Sequence, residues 1–226
     1  MTTVKMNAVA IGGTINLPNT GNVFVPADGI ITVDSNDVPF LLRAGATYIN
    51  TRNKTATLTS PLAATAGRLV ASTALSNGTK TIAHQPDVPR QAVLRIDPGT
   101  SAITAGNVAM NYIANDGSTV TDNVSLIMPG TTVVSTNTSR GVLNLNSVIV
   151  TALAGGASPE MQVNDTNSLS VPVDPGFVDF AMVTEYVDAV PEGQVSVASS
   201  AGSFTPSTTP NGTHTYGAFY SYNAPA

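Results

Sequence analysis

The sequence predicts an all-β protein built on a β-sandwich, with an extended N-terminal arm that holds a small hairpin. Residues that favour strands and turns, chiefly Thr, Val, Ser, Asn, Gly and Pro, dominate the 226-residue chain, and good helix formers are scarce. From Val88 onward, apolar residues recur at every second position in short runs. Turn residues separate these runs at intervals of roughly 8 to 12 residues, which is typical of a sandwich or a barrel.

Residues 1–60 are predicted to form the N-terminal arm. Glycine and proline residues break this stretch into short extended pieces. Residues 23–25 and 30–33 are two such pieces, and they flank Asp28-Gly29, a dipeptide that favours a tight turn between strands. We therefore expect the small hairpin to lie here.

One short helix is expected within the arm. Val38, Leu41 and Leu42 would share one helical face, and Asp37 stands before them in the position of an N-cap. The helix would have one or two turns and lead into a strand that begins near Ala46.

Residues 61–87 are rich in Ala, Ser and Thr and contain few large apolar side chains. A stretch of this composition cannot hold a core of its own, so we expect a linker that lies against another part of the protein. Residues 88–226 would then form the β-sandwich.

The chain closes with an aromatic segment, residues 213–222, that we expect to be the last strand of the sandwich. Tyr216, Tyr220 and Tyr222 alternate onto one face of such a strand, and Phe219 lies on the other. An alternative is that these rings stack on sugars at the protein surface.

Low charge is the second feature of the composition. Charged residues make up 10% of the chain, against about 25% in typical domains, and the formal net charge is −5. Because 42% of the residues are hydrophobic, we expect a packed fold and not a disordered chain. Nine Lys and Arg residues leave no basic footprint for phosphates, so no nucleic-acid partner is expected.

The absence of cysteine excludes disulfides, thiolate zinc sites and cysteine nucleophiles. No apolar run approaches the length of about 18 residues that a membrane span needs. The apolar stretch near the N-terminus is too short for a signal peptide. We therefore expect no membrane partner and synthesis in a cytoplasm.

The charges are unevenly placed along the chain. All nine basic residues lie at or before Arg140, together with seven acidic residues, whereas from Gly141 onward there are seven acidic residues and no Lys or Arg. Two explanations stay open: the halves face different surfaces, or the pattern is drift in a weakly charged chain. In either case, the second half cannot form Lys or Arg ion pairs within itself.

No catalytic motif is evident, and we expect no enzyme activity. The two histidines, His84 and His214, come without the Gly-x-Ser-x-Gly sequence of many Ser-His-Asp sites. Residues 78–81 read Gly-Thr-Lys-Thr but lack the spacing of a phosphate-binding loop. A carboxylate pair for glycoside hydrolysis stays open, because two carboxylates need only meet in space. The glutamates available for such a pair are Glu160, Glu185 and Glu192.

Two segments rich in Asp and Asn, residues 34–37 and 164–167, offer oxygen ligands for calcium. Neither has the alternating acidic residues and the distal Glu of a calcium loop. Hydrogen-bonded turns explain both segments better, so no metal and no other cofactor is expected.

Several stretches together resemble structural proteins of tailed bacteriophages. Residues 25–34 and 37–45 resemble the N-terminal segment of such proteins, residues 105–117 resemble their β-domain hairpin, and residues 205–222 resemble their closing strand. The resemblance implies an immunoglobulin-like sandwich in a virion component that attaches to the head or the neck. It also implies synthesis in the cytoplasm of a bacterial host.

The first functional hypothesis is therefore a capsid decoration or head-associated protein that stabilises the particle through its arm. The expected partners are major capsid, neck or tail proteins and further copies of the same chain in a homo-oligomer. The candidate contact residues in the arm are Phe24, Phe40, Leu41 and Arg43.

The alternative hypothesis is an adhesin or lectin-like module that binds the host. Its terminal aromatic side chains, Tyr216, Phe219, Tyr220 and Tyr222, would stack on host sugars. A tail-tube or tail-tip subunit would belong to the same structural class as the first hypothesis and differ only in its place in the virion.

Overall fold

The computed structural model describes residues 2–5, 12–26, 30–43, 46–192 and 195–225. These residues are mostly in strands, which confirms the predicted all-β class. The helical elements among them are α1 (Val38–Arg43) and one 3-10 turn (Ser199–Ala201). The strands are β1 (Thr2–Lys5), β2 (Thr14–Leu17), β3 (Gly21–Phe24), β4 (Ile30–Val33), β5 (Thr47–Thr59), β6 (Val70–Ala74), β7 (Gly78–Lys80), β8 (Arg90–Asp97), β9 (Ile103–Ala114), β10 (Thr119–Ser125), β11 (Val134–Asn137), β12 (Val142–Gly155), β13 (Glu160–Ser170), β14 (Val178–Val187), β15 (Val190–Pro191), β16 (Ser196–Ala198), β17 (Ser203–Thr205) and β18 (Thr215–Pro225).

The chain divides into two compact units, and both are assembled from stretches far apart in the sequence. The first unit consists of Met1–Arg52, Pro175–Val178 and Tyr222–Ala226. The second consists of Asn53–Asp174 and Asp179–Ser221. The predicted segments 1–60, 61–87 and 88–226 divide the chain at other places.

Two four-stranded antiparallel sheets form the centre of the second unit. Sheet A has the strand order β7-β12-β9-β10, and sheet B has the order β6-β13-β8-β11. The sheets are joined at one place, where Val142 of β12 pairs with Arg90 of β8. The end of β13 also pairs with β17, which pairs with β16. This arrangement confirms the predicted β-sandwich.

The connectivity of the sandwich is that of a jelly roll. When its strands, β6 to β13, are counted from one to eight along the chain, sheet B has the order 1-8-3-6 and sheet A the order 2-7-4-5. Two interlocked Greek keys give this order. An immunoglobulin domain instead places its first two strands side by side. The sandwich therefore has jelly-roll connectivity and not the immunoglobulin-like connectivity that the resemblance implied.

Alternating side chains fill the space between the two sheets. On β8, Leu94 and Ile96 are buried, whereas Val93 and Arg95 are partly exposed. Full burial of one such apolar side chain stabilises the fold by about 1.5–3 kcal/mol. The core between the sheets comprises Leu69, Val70, Leu75, Ala92, Leu94, Ile96, Ile103, Val108, Met110, Tyr112, Ala114, Leu126, Met128, Val142, Leu145, Val148, Val150, Met161 and Val163.

The segment predicted as a linker, residues 61–87, contributes two strands to the sandwich. β6 pairs with β13 at the edge of sheet B, and β7 pairs with β12 at the edge of sheet A. Leu69, Val70 and Leu75 are buried in the shared core. The few apolar residues of this segment suffice because these short edge strands complete a core that longer strands already supply.

In the first unit, β1 pairs with β4 and with the start of β5, while β2 pairs with β3. The small hairpin is thus formed by β2 and β3 and not by the predicted pair 23–25 and 30–33. The expected turn residues Asp28 and Gly29 lie outside the described residues. Gly21, with φ of +83°, follows the turn between β2 and β3 and adopts a conformation that favours glycine. Alternation of side chains predicts a strand but not its partner.

The predicted helix is confirmed as α1, but Asp37 has a different role from the expected cap. Its carboxylate accepts hydrogen bonds from the backbone N–H groups and the side chains of Asn19 and Thr20, at 2.6 to 3.2 Å. Burial raises the pKa of Asp37, but these bonds outweigh it, and the pKa lies below its ordinary value. The ionised carboxylate thereby ties the start of α1 to the β2–β3 turn.

In the second unit, the parts of β5, β14 and β18 that belong to it form a further sheet with β15, in the order β15-β14-β18-β5. The aromatic segment is a strand, as predicted, but β18 belongs to this sheet and not to the sandwich, and its Tyr216 and Tyr220 are buried. The ring of Phe180 lies 5.6 Å from that of Tyr220, measured between centroids. The Tyr220 hydroxyl donates to the carbonyl of Pro172 at 2.6 Å, so the buried polar end of the ring is satisfied.

Acidic residues of the second half of the sequence pair with basic residues of the first half. Asp165 lies within ion-pair distance of Arg90 and Arg68, and Asp174 lies 2.8 Å from Lys54. The uneven distribution of charge along the sequence is thus partly balanced in space.

Leu41 and Phe40 are neighbours in α1 with opposite surroundings, because Leu41 is 2% exposed and Phe40 is 60% exposed. We expect Leu41→Ala to lower the free energy of unfolding by about 2–4 kcal/mol, since it leaves a cavity in the core of the first unit. Phe40→Ala should change it by less than about 0.5 kcal/mol. Urea unfolding of both variants checks this, and equal losses would contradict the described helix orientation.

Candidate interaction surfaces

The outer face of sheet A is uncharged. Side chains between the buried positions of its four strands point away from the core, and all of them are small polar or apolar groups. Cross-strand register places them in rows: Thr121 lies beside Asn111, and Asn111 lies beside Ser147. The outward residues are Thr79, Asn107, Ala109, Asn111, Ile113, Thr119, Thr121, Asn123, Ser125, Ser147, Ile149 and Thr151.

The outer face of sheet B is charged, in contrast. Arg95 and Asp97 of β8 form an ion pair at 3.6 Å, and both side chains are partly exposed. Glu160 of β13 accepts a hydrogen bond from the Ser72 hydroxyl at 3.0 Å. Water solvates such charged side chains well, so this face favours exposure to solvent. The two outer faces of the sandwich therefore differ in the kind of surface that they can contact.

Hydrogen bonds between side chains hold the outer face of sheet A in one arrangement. The Thr121 hydroxyl donates to Asn111 at 2.6 Å, and the Asn111 amide donates to Ser147 at 2.8 Å. The Asn107 amide donates to Asn123 at 3.2 Å. Side chains that are already ordered lose little conformational entropy when another surface covers them.

Asp122 is the charged residue of β10, and hydrogen bonds hold its carboxylate on the inner side of the strand. Its carboxylate accepts from the Tyr112 hydroxyl at 2.8 Å and from the backbone N–H and hydroxyl of Ser139 at 2.8 and 2.6 Å. Burial raises the pKa of Tyr112, so its hydroxyl stays protonated and donates. Asp122 is therefore used within its own molecule.

An apolar groove follows β10 along the chain. It has a volume of about 420 Å³ and is lined by Ile127, Met128, Pro129, Gly130, Thr132 and Val134. Ile127 is 69% exposed, the largest exposed fraction among the large hydrophobic side chains of the described residues. Alternation along the sequence does not show which apolar residues remain uncovered at the end of a strand, so the sequence does not point to this groove.

The predicted contact residues of the arm have different environments. Phe24 and Phe40 are 62% and 60% exposed, so both rings are available to a partner. Leu41 is 2% exposed and packs in the core of the first unit, so it is not available. Arg43 ends α1, and its side chain lies outside the described part of the structure.

The terminal aromatic side chains do not form a stacking platform. Tyr216, Tyr220 and Tyr222 are at most 1% exposed, and Phe219 is only partly exposed. A sugar ring needs the open face of an aromatic ring, which these buried tyrosines do not offer. Their inward position follows from the alternation of β18, which turns every second residue into the core.

Arg90, the largest buried charged side chain, has a role within the fold. Its guanidinium lies 2.6 Å from Asp87 and 3.4 Å from Asp165, and it donates to the carbonyls of Leu62 and Thr166. Arg68 lies 3.2 Å from the same oxygen of Asp165. This cluster fixes the segment before β6 against sheet B.

Glu185 of β14 is the buried glutamate of the second unit. One carboxylate oxygen accepts the backbone N–H of Ser207 at 3.1 Å, and the other has no hydrogen-bond partner. Burial raises the pKa of Glu185, and the charge of Glu192 adds to this rise. Glu160 lies in sheet B, whereas Glu185 and Glu192 lie on and beside the β14–β15 hairpin.

The other candidate sites are explained by local hydrogen bonds. His214 pairs with Asp188 at 2.7 Å, and Lys80 donates to the carbonyl of Ala74 and the hydroxyl of Ser76. The Asn and Asp side chains of residues 164–167 accept N–H groups from residues 64–67. Among the described residues, no three His, Cys, Asp or Glu side chains are grouped as metal ligands.

Membrane insertion by a helix has no support in the described part of the chain, where no helix is long and apolar enough to span a bilayer.

Comparison with known proteins gives little direct information. No family model matches the chain, and no curated protein matches it. One solved structure that is similar to the chain is that of infectious bursal disease virus, Gx strain, at 8% sequence identity and a TM-score of 0.24. The alignment covers 94% of this chain and 47% of the viral chain, so the chain spans about half of that protein's length. A TM-score this low does not establish a shared fold.

Replacing Asp165 tests the buried charge cluster. Asp165→Asn removes one of the two carboxylates beside Arg90 and leaves Asp87 as the remaining partner. We expect the free energy of unfolding to fall by about 3 kcal/mol, because the buried guanidinium then has one counter-ion instead of two. Asp97→Asn removes one charge of the partly exposed Arg95–Asp97 pair and should lower the free energy of unfolding by less than about 1 kcal/mol. Chemical denaturation of both variants measures the two free energies of unfolding. Similar losses in the two variants would show that burial does not determine how much an ion pair contributes to stability.

The pH dependence of stability tests the raised pKa of the buried Glu185 carboxyl. Its folded pKa lies above the unfolded value of 4.5, so ionisation destabilises the fold as pH rises above that value. Glu185→Gln should therefore melt at a higher temperature than the native chain at pH 7–8, and the advantage should vanish below about pH 4. Melting curves across pH give the test, with Glu160→Gln as the exposed control. A native chain that becomes more stable relative to Glu185→Gln as pH rises would refute it.

Proposed function

We propose that the chain is a structural protein of a virus particle. The observation that supports this most directly is the jelly-roll connectivity of sheets A and B, an architecture frequent in the shells of virus particles. Fold alone does not determine function, because lectins and cupins also use this architecture. The side chains of this chain favour a structural role over these other uses.

The surfaces favour assembly over ligand binding. The three terminal tyrosine rings, which were expected to stack on a sugar, are buried. The two histidines do not form a common site, because His214 pairs with Asp188 and His84 is exposed elsewhere in the sequence. The outer face of sheet A, in contrast, is uncharged and ordered by its own hydrogen bonds. Such a face loses little solvation when another protein surface covers it. The proposed role is structural and involves no catalysis and no cofactor.

Within the virion, we assign the chain to the proteins that decorate the capsid or associate with the head. Phe24 and Phe40 of the first unit expose apolar rings that a neighbouring capsid, neck or tail protein, or another copy of the chain, would cover. Aromatic side chains of this kind often supply most of the binding energy of an interface. Their exposure supports the predicted docking role of the N-terminal arm.

Virus particles test this proposal directly. Particles purified from cultures that express the chain should contain it in many copies, and particles that lack it should lose integrity at a lower temperature and regain stability when the purified chain is added. Phe24→Asp and Phe40→Asp should fold normally but bind particles at least about tenfold more weakly, because each places a charge in an apolar contact. Val190→Asp, at another exposed apolar position, serves as the control. Absence of the chain from purified particles would overturn the proposal.

A further inference from the structure

Strand β10 forms an open edge of sheet A. It is the terminal strand of the order β7-β12-β9-β10, and its described partner is β9 alone. The seven residues of β10 extend over about 24 Å at the usual rise of a strand. Every residue pairs with β9 in regular register, without a bulge.

The hydrogen-bond pattern shows which backbone groups face this edge. At the two ends of the ladder, Ala114 donates to the carbonyl of Ser118, and Leu126 donates to that of Gly106. Bonded positions alternate in an antiparallel pair, so the even-numbered residues of β10 bond to β9. The N–H and C=O groups of the odd-numbered residues therefore point to the open edge: Thr119, Thr121, Asn123 and Ser125.

Most protective features common at sheet edges are missing from β10. Natural edge strands are kept from pairing by short length, lysine, proline, bulges or inward-pointing charges, and β10 has only the last of these. The other described edge strands of the sandwich show such features: β7 has three residues and ends in Lys80, β11 has four residues, and β6 has an irregular register. The single charge of β10, Asp122, is bound by Tyr112 and Ser139 of the same molecule.

We propose that the edge of β10 is an interface between two copies of the chain, which pair β10 with β10 in antiparallel orientation and so continue sheet A across a two-fold axis. This inference rests on the proposed structural role, since strand addition between copies is one way to assemble. The occupant follows from the charges: apart from Asp122, the side chains of β10 are neutral, so a second copy meets no like charge in any register that keeps the two Asp122 residues apart. Exposed Ile127, just after the strand, adds apolar area to the contact.

The position of the two-fold axis is restricted by Asp122. An axis at this residue would place two Asp122 residues directly opposite each other, where like charges destabilise a pair. An axis at Thr121 or at Asn123 avoids this and pairs outward-facing backbone groups with each other. In a bonded antiparallel pair, opposing Cα atoms lie about 5.5 Å apart, which suits a disulfide.

Single cysteines test the pairing, because the native chain has none. Under mild oxidation, Thr121→Cys or Asn123→Cys in the full chain should give a disulfide-linked dimer. Ser135→Cys, at an exposed position of β11, should stay monomeric under the same conditions. Equal dimer formation by Ser135→Cys would overturn the inference. Absence of dimers from both β10 variants would overturn it as well, and would mean that the edge stays open or receives a strand of another protein.

Proline provides a second test that does not need oxidation. Thr121→Pro removes an N–H that faces the edge and leaves the backbone hydrogen bonds to β9 intact, so self-association measured by sedimentation should weaken by about tenfold. Thr121→Ala keeps the N–H and should associate like the native chain. Unchanged association of Thr121→Pro would refute strand pairing, and a melting curve of each variant confirms folding.

Particle binding separates this inference from the proposed function. If the chain is present in virus particles but neither cysteine variant cross-links, the pairing of β10 is wrong and the structural role stands. If the cysteines cross-link but the chain is absent from particles, the pairing stands and the structural role is wrong.

Discussion

The apolar faces of sheets A and B have to be buried against each other, and most of the fold depends on this constraint. With 10% charged residues, the chain has few ion pairs to contribute to its stability, so burial of alternate side chains is the main favourable term. The core residues come from β9 and β12 of sheet A and from strands of sheet B that are distant in sequence, such as Val70, Leu94 and Val163. A jelly roll satisfies the constraint by wrapping the chain so that both sheets close over one core.

Where charge is buried, it connects segments that apolar packing cannot connect. The segment before β6 has few large side chains, and Arg90, Asp87 and Asp165 bind it through its backbone and through Arg68. In the first unit, Asp37 binds the β2–β3 turn in the same manner. In both places, a carboxylate with several donors replaces the hydrophobic contacts that the local sequence lacks.

The surfaces of the sandwich follow from the same shortage of charge. The outer face of sheet B carries charged residues, such as Arg95 and Asp97, whereas the outer face of sheet A carries none. For a monomer, a long regular edge without protection is a risk of aggregation. For a subunit of a particle, the same edge is a contact, which is why the proposed role and the inferred pairing of β10 belong together physically.

Local patterns in the sequence suffice to predict the all-β class, the helix at α1 and the strand at β18, because alternation and residue propensity are local properties. They do not determine which strands pair. The predicted hairpin over residues 23–33 and the linker over residues 61–87 differ from the structure because β3 and β6 find partners elsewhere in the chain. Among the candidate site residues, Phe24 and Phe40 are exposed as a contact requires, whereas Leu41 and the three terminal tyrosines are buried. The jelly-roll order, the burial of the terminal tyrosine rings and the open edge of β10 are properties of the folded chain, since each depends on which distant segment covers a face or an edge.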